Sequence, residues 1–313
     1  MSSNIKKIGV LGGDMRQIRL ASLLADGSRG GEGYETAVWE FRGVMEDSAV
    51  KAGLANCVRC ADWESAVCAS DVVILPLPVT NDGIRLNCPF AAVDYHIRLT
   101  EIVEKCGKDT LVLGGRIPSL VMRLGAERGL RVFDYYESEA LQIKNSVPTA
   151  EGALAIAINE LPRTISGCSA VVTGYGRVAR TLAHKLKLLG AHVTTAARSP
   201  SDLAWAESEG CVPVKLEQYR REPCRADIIF NTVPAMIFDR ELLGKLDKHT
   251  LIVELASGNC GVDVKHTEGI RVISAPGLPG KLSPFTAGEI IYDTIKDLIA
   301  ENCCGENGQR NKR

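Results

Sequence analysis

A chain of 313 residues, 45% hydrophobic and 24% charged, can bury ample core and, at about 150 residues per domain, is long enough for two domains. Its formal net charge is -1 and its one basic block is the short tail Arg310-Asn311-Lys312-Arg313, which excludes the extended positive surface that nucleic acid demands. No stretch approaches the roughly 18 apolar residues that span a bilayer, and residues 1–7 lead into a strand-like run without an apolar signal core, so no membrane association and a cytosolic location are expected.

Short apolar runs alternate with longer helical patterns, the signature of parallel sheets fed by crossover helices. In the first half, strands are expected at 7–11, 35–39, 71–76, 110–114 and 131–135, with helical spacing at 99–106 and 120–128. The first strand ends in Gly12-Gly13-Asp14-Met15-Arg16-Gln17, a glycine turn of the dinucleotide-binding kind except that Asp14 and Arg16 follow in place of a third small residue. A ligand smaller than a pyrophosphate is expected there, with Arg16 and helix N-terminal amides placed to hold a carboxylate. Cys57-Val58-Arg59-Cys60 lacks the second ligand pair that a closed zinc site needs, so no metal site is expected, and the eleven scattered cysteines read as reduced thiols. The loops at 76–82, 114–118 and 135–139 carry unusual polar residues and should open at the carboxyl edge of the sheet, across a cleft from the second domain, where a small anionic substrate is expected. Asn145-Ser146-Val147-Pro148-Thr149 reads as the interdomain hinge, and Thr149 as the N-cap of an alanine-rich helix ending at Pro162.

The second half repeats the pattern, with strands expected at 169–173, 192–196, 227–232, 250–254 and 271–274. Between the first of these and the helical stretch 181–189 lies Gly174-Tyr175-Gly176-Arg177-Val178-Ala179. In this setting the first glycine permits the tight turn, the second lets backbone approach a pyrophosphate, and the small third residue allows close helix packing. About 20 residues on, where a carboxylate would hold an NAD ribose, the chain has Ala197-Arg198-Ser199; arginine and serine suit a 2′-phosphate, so NADP is expected in preference to NAD. Thr232-Val233-Pro234 should pass near the nicotinamide ribose, and the glycine-rich loop 275–281 should aim Lys281 into the cleft. A last helix is expected over 284–300, with Ile290, Ile291, Ile295, Leu298 and Ile299 on one side, crossing back to the first domain; residues 305–313 read as a disordered tail.

The Gly12-to-Gln17 start, the Leu77-Pro78-Val79-Thr80-Asn81-Asp82 loop, the stretch 145–152, the 172–179 turn and Ala275-Pro276-Gly277-Leu278-Pro279-Gly280-Lys281 together resemble the dipicolinate synthase A-subunit family of spore-forming bacteria, over nearly the whole chain. More remotely, the layout is similar to formate/glycerate dehydrogenase-like proteins. The resemblance implies NADP-linked oxidation of dihydrodipicolinate, or of its 4-hydroxy-tetrahydro precursor from the lysine pathway, to dipicolinate. It also implies the mother-cell cytosol of a sporulating bacterium as the setting, with a flavoprotein-like B subunit as partner; a homo-oligomer is expected as well. On this reading Arg16, Arg116 and Lys281 carry charge for two substrate carboxylates, Thr80, Asn81, Ser138 and Thr149 donate hydrogen bonds, and Glu137 or Glu139 is the base.

The expected fold is thus α/β, with two doubly wound parallel-sheet domains: a substrate domain over 1–148, completed by the helix 284–300, and a Rossmann dinucleotide domain over 149–283. Two other functions fit the residues: another NADP-dependent dehydrogenase of a small carboxylate, and a non-catalytic protein that senses NADP(H). Against a hydroxy-acid dehydrogenase, His96, His184, His192, His249 and His266 all fall where surface or packing roles are expected.

Overall fold

The computed structural model describes residues 5–27, 33–256, 258, 260–267 and 269–303. The expected tail at 305–313 lies outside them. The chain forms two units, Met1–Gln142 with Pro284–Arg313, and Ile143–Ser283.

The first unit contains β1 (Lys7–Leu11), α1 (Met15–Asp26), β2 (Glu35–Trp39), α2 (Ser48–Gly53), β3 (Val58–Arg59), α3 (Trp63–Cys68), β4 (Val72–Ile74), α4 (Leu99–Lys105), β5 (Leu111–Gly114), α5 (Ser119–Glu127) and β6 (Arg131–Asp134). Its six strands are parallel, in the order β3-β2-β1-β4-β5-β6. The order reverses between β1 and β4, so their carboxyl ends form the crevice where ligands of such sheets bind. The strands read as unbroken apolar runs because both faces are covered. Ile8, Val10, Val72, Ile74, Leu111 and Leu113 pack in one core layer, and Leu11, Val73, Leu75 and Val112 in the other. Gly9 serves the second layer: a Cβ there would lie 2.2 Å from the Ala66 carbonyl oxygen, so glycine lets α3 rest directly on the central strand.

Next comes α6 (Glu139–Glu160), 22 residues with Pro148 inside it. This corrects the hinge expected at 145–149 and the Thr149 N-cap. Proline removes the backbone donor to the carbonyl four residues before it, yet the helix runs on; beside it Thr149 Oγ1 donates to Asn145 O at 2.8 Å and Ser146 Oγ to Ile143 O at 2.7 Å. The units divide at 142/143, six residues before the expected boundary, and within this helix.

The second unit contains β7 (Ser169–Thr173), α7 (Arg177–Leu188), β8 (His192–Ala197), α8 (Pro200–Ser208), β9 (Val212–Lys215), α9 (Leu216–Arg221), β10 (Ile228–Asn231), α10 (Arg240–Leu243), β11 (Leu251–Glu254), β12 (Arg271–Ser274) and α11 (Leu278–Leu282). The sheet order, β12-β11-β10-β7-β8-β9, is again wholly parallel and reverses between β7 and β10. Finally α12 (Pro284–Cys303) belongs to the first unit and packs on α1, burying Ile290, Ile291, Ile295 and Ile299. Gly288 makes this close approach possible, since a Cβ there would meet the Arg16 carbonyl at 2.7 Å. Two edge strands, β3 and β9, were not expected from the sequence; β3 spans two residues and β9 contains Pro213, which an edge strand tolerates.

Candidate functional site

Each unit has a glycine turn after its first strand, and the two turns differ in what fills them. In the first, Gly12 (φ 56°) and Gly13 (φ 89°) donate backbone N–H to Trp39 O at 2.6 Å and Asn87 O at 2.9 Å. A Cβ on Gly12 would meet Cys88 Sγ at 2.7 Å and Asn87 O at 2.8 Å. The Asp14 carboxylate caps α1, accepting the Arg16 amide at 3.0 Å. The protein's own atoms therefore occupy the positions a phosphate would take.

The second turn is open. Gly174 (φ 82°) donates its N–H to Ala196 O at 2.9 Å, and a Cβ on it would lie 2.9 Å from Thr232 Oγ1 and 3.0 Å from Val233. Gly176 is the N-cap of α7, where no side chain caps the helix and a Cβ would find nothing within 4 Å. Open space above an uncapped helix N-terminus, at the carboxyl edge beside the β7/β10 reversal, fits a pyrophosphate. Adjoining it is a cavity of about 460 Å3 lined by Gly174, Ala196, Arg198, Ser199, Asp202 and Val233 among others, which fits the adenosine half. Arg198 is exposed and its side chain makes no ion pair among the described residues. Asp202 is drawn toward Arg180, 3.5 Å away. Ser199 Oγ lies 2.7 Å from Ser201 Oγ.

Residues 7–136 match the N-terminal domain of the dipicolinate synthase A subunit. Residues 108–264, half of the chain, match the NAD binding domain of D-isomer specific 2-hydroxyacid dehydrogenases. The chain belongs to this dehydrogenase family. Over nearly its full length it resembles the dipicolinate synthase A subunit of Bacillus subtilis, at 29% identity over 94% of this chain and 96% of that one. The crystal structure of that Bacillus subtilis protein superposes with a TM-score of 0.81, covering 96% of this chain and 98% of that one. The crystal structure of the corresponding protein from Bacillus halodurans also gives 0.81, at 28% identity, covering 94% and 98%. This dehydrogenase-family chain is thus a nicotinamide-dinucleotide oxidoreductase in fold, and no helix among its described residues is long and apolar enough to cross a membrane.

Tyr175 turns its side chain into the core, where it is 2% exposed, and its hydroxyl donates to Glu209 Oε2 at 2.7 Å; only its backbone remains at the turn. Burial, then Glu209, pushes its pKa well above the usual tyrosine value. Arg177 and Val178 open α7, Thr232 Oγ1 donates to Thr173 O at 2.7 Å, and Val233 and Pro234 follow at the strand edge. In the same unit Lys281 is exposed on α11, whereas Thr149 lies inside α6.

In the first unit Arg16 is already engaged: its guanidinium grips Asp14 at 2.9 and 2.8 Å and donates to Leu77 O. The guanidinium expected to hold a substrate carboxylate thus already pairs with a carboxylate of the protein. Thr80 Oγ1 donates to Asp82 at 2.9 Å and accepts the Gly83 amide, and Asn81 Nδ2 donates to Asn87 Oδ1 at 2.9 Å, so both shape their own loop. Ser138 Oγ accepts the Leu141 amide at 3.3 Å, while Glu137 is exposed on the short helical turn Tyr135–Glu137. Arg116 lies over the Tyr136 ring, 4.8 Å from its centroid. Cys57 and Cys60 are free, and burial pushes their thiols up, that of Cys57 to about 12.

A buried network beneath the second turn escaped the sequence reading. Thr173, Asn231 and Glu254 are in register at the ends of β7, β10 and β11. Thr173 Oγ1 donates to Asn231 Oδ1 at 2.5 Å, and Asn231 Nδ2 donates to both Glu254 oxygens, at 3.0 and 2.9 Å. The Ala256 amide donates to Glu254 Oε1 at 3.0 Å. Asn231 also bonds both backbone groups of Val233, so the network fixes the loop beside Gly174. Burial raises the Glu254 pKa, opposed by the Asn231 and Ala256 donors. A carboxyl group whose pKa rises on folding favours the fold below its unfolded pKa, and that contribution is lost as pH climbs through the folded value. Asn231→Ala, by removing an opposing donor, should cost about 2–3 kcal/mol near neutral pH and less near pH 5. Urea unfolding at pH 5 and pH 8 checks this; an equal cost at both would refute it.

Proposed function

We propose that this chain is the catalytic A subunit of a dipicolinate synthase that uses NADP to oxidise dihydrodipicolinate, or its 4-hydroxy-tetrahydro precursor after loss of water. The open, uncapped turn at Gly174–Ala179, in a chain that resembles the Bacillus subtilis protein over 94% of its length, carries this reading. Arg198 and Ser199 favour a 2′-phosphate. Asp202 lines the same cavity and could serve a ribose hydroxyl of NAD, but its pairing with Arg180 weakens that second reading.

When bound, the dinucleotide supplies the hydride acceptor. Oxidation would take a hydride from a saturated ring carbon of the dihydropyridine to that acceptor, while Glu137, Glu139 or water would take the proton from the neighbouring carbon, so that the ring becomes aromatic dipicolinate. The protein's task is to orient two carboxylates and exclude water. Arg116 and Lys281 are the cations suited to the carboxylates, and Thr80, Asn81, Ser138 and Thr149 the candidate donors. Arg16 acts through the loop it holds at Leu77. The Bacillus subtilis relative is named as one lettered subunit of its synthase, which favours a B subunit here too; self-association and action in the mother-cell cytosol complete the reading. The purified chain, given NADP and the lysine-branch intermediate with or without the B subunit, should raise the reduced-nicotinamide and dipicolinate absorbance bands together. NADP binding with neither band rising would overturn the proposal.

A further inference from the structure

Arg116 is the one non-glycine residue among those described that adopts a left-handed backbone, with φ at 60°. Such strain persists only where surrounding contacts enforce it, and it concentrates at functional sites. Here the Asp134 carboxylate, at the end of β6, accepts three backbone amides: Arg116 at 3.0 Å, Ile117 at 2.8 Å and Tyr136 at 2.8 Å. These bonds tie the loop after β5 to the loop after β6. The turn cannot relax inward, because Gly115 sits where a Cβ would come within 2.6 Å of Leu77 and 2.8 Å of Tyr135. The outcome is a guanidinium stacked over the Tyr136 ring at 4.8 Å, with Nη2 3.4 Å from its hydroxyl, on a residue that remains exposed at the carboxyl edge. Stacking one face of the guanidinium fixes its plane and aims the N–H fork, the geometry that matches a carboxylate. Glycine would satisfy this backbone without strain, so the arginine is there for its side chain.

We propose that Asp134 is a positioning residue that holds Arg116 over Tyr136 as the side chain that reads a substrate carboxylate. The identity of that substrate rests on the function proposed above; the arginine's role does not. Calorimetric titration of the full chain with dipicolinate and, separately, with glutarate tests it in R116G, R116K and D134N. R116G should weaken binding by about 30-fold or more while its thermal midpoint stays level or rises, because glycine relieves the left-handed strain. R116K keeps the charge but loses the fork and should weaken binding about tenfold. D134N should weaken binding with the guanidinium still present and raise KM far more than it lowers kcat, a split that a merely structural role would not produce. Arg116-dependent binding of glutarate alone would uphold the arginine's role and count against the dipicolinate reading. If R116G binds both acids as the wild type does, or the wild type binds neither, the proposal is overturned. If D134N alone binds normally, Asp134 has no positioning role.

Discussion

Gly176→Asp should lower dinucleotide affinity at least about 100-fold, some 2.7 kcal/mol, while leaving thermal stability intact. Nothing in the protein lies within 4 Å of a Cβ at this position, so the new side chain displaces no packing. As the N-cap of α7 it gains a partner in the helix amides, worth about 0.3–1 kcal/mol. The substitution would rebuild in the second unit what Asp14 already does in the first, where a carboxylate of the protein caps α1. Fluorescence titration with reduced dinucleotide, paired with a melting curve, reads both effects. Unchanged affinity would mean that the phosphates lie elsewhere.

Arg198→Ala should weaken NADPH binding by about 100-fold and NADH binding by less than about threefold, since a charged hydrogen-bonding pair is worth roughly 1.5–3 kcal/mol. The residue sits just past β8, lines the cavity beside Gly174 and forms no ion pair among the described residues, so its loss exposes no orphaned partner. The wild-type preference for NADPH should also shrink as salt rises. Equal loss for both nucleotides, or a wild type that prefers NADH, would reassign specificity to Asp202.

The second glycine turn was legible because every part of its signal is local: a strand, the glycines and a helix within about 20 residues, with Arg198 at a fixed offset. The two sheets were legible for a similar reason, since strands buried on both faces read as apolar runs. The closure of the first turn was not, because Asn87 and Cys88 reach it from a distant loop. Nor was the engagement of Arg16: its partner Asp14 is adjacent, but only the fold turns the pair toward Leu77. Thr173, Asn231 and Glu254 are 58 and 23 residues apart and meet only through sheet register. The hinge expected at 145–149 and the N-cap expected at Thr149 were misplaced because α6 runs from Glu139 to Glu160 through Pro148, a continuity that no local residue signals.

The most direct test of the proposed chemistry follows the hydride. Substrate carrying deuterium on its saturated ring carbons, incubated with the protein and NADP, should yield dipicolinate together with NADPH that is one mass unit heavier. Dipicolinate formed without labelled NADPH would contradict the account, because the ring would then have been oxidised by something other than the dinucleotide on this chain.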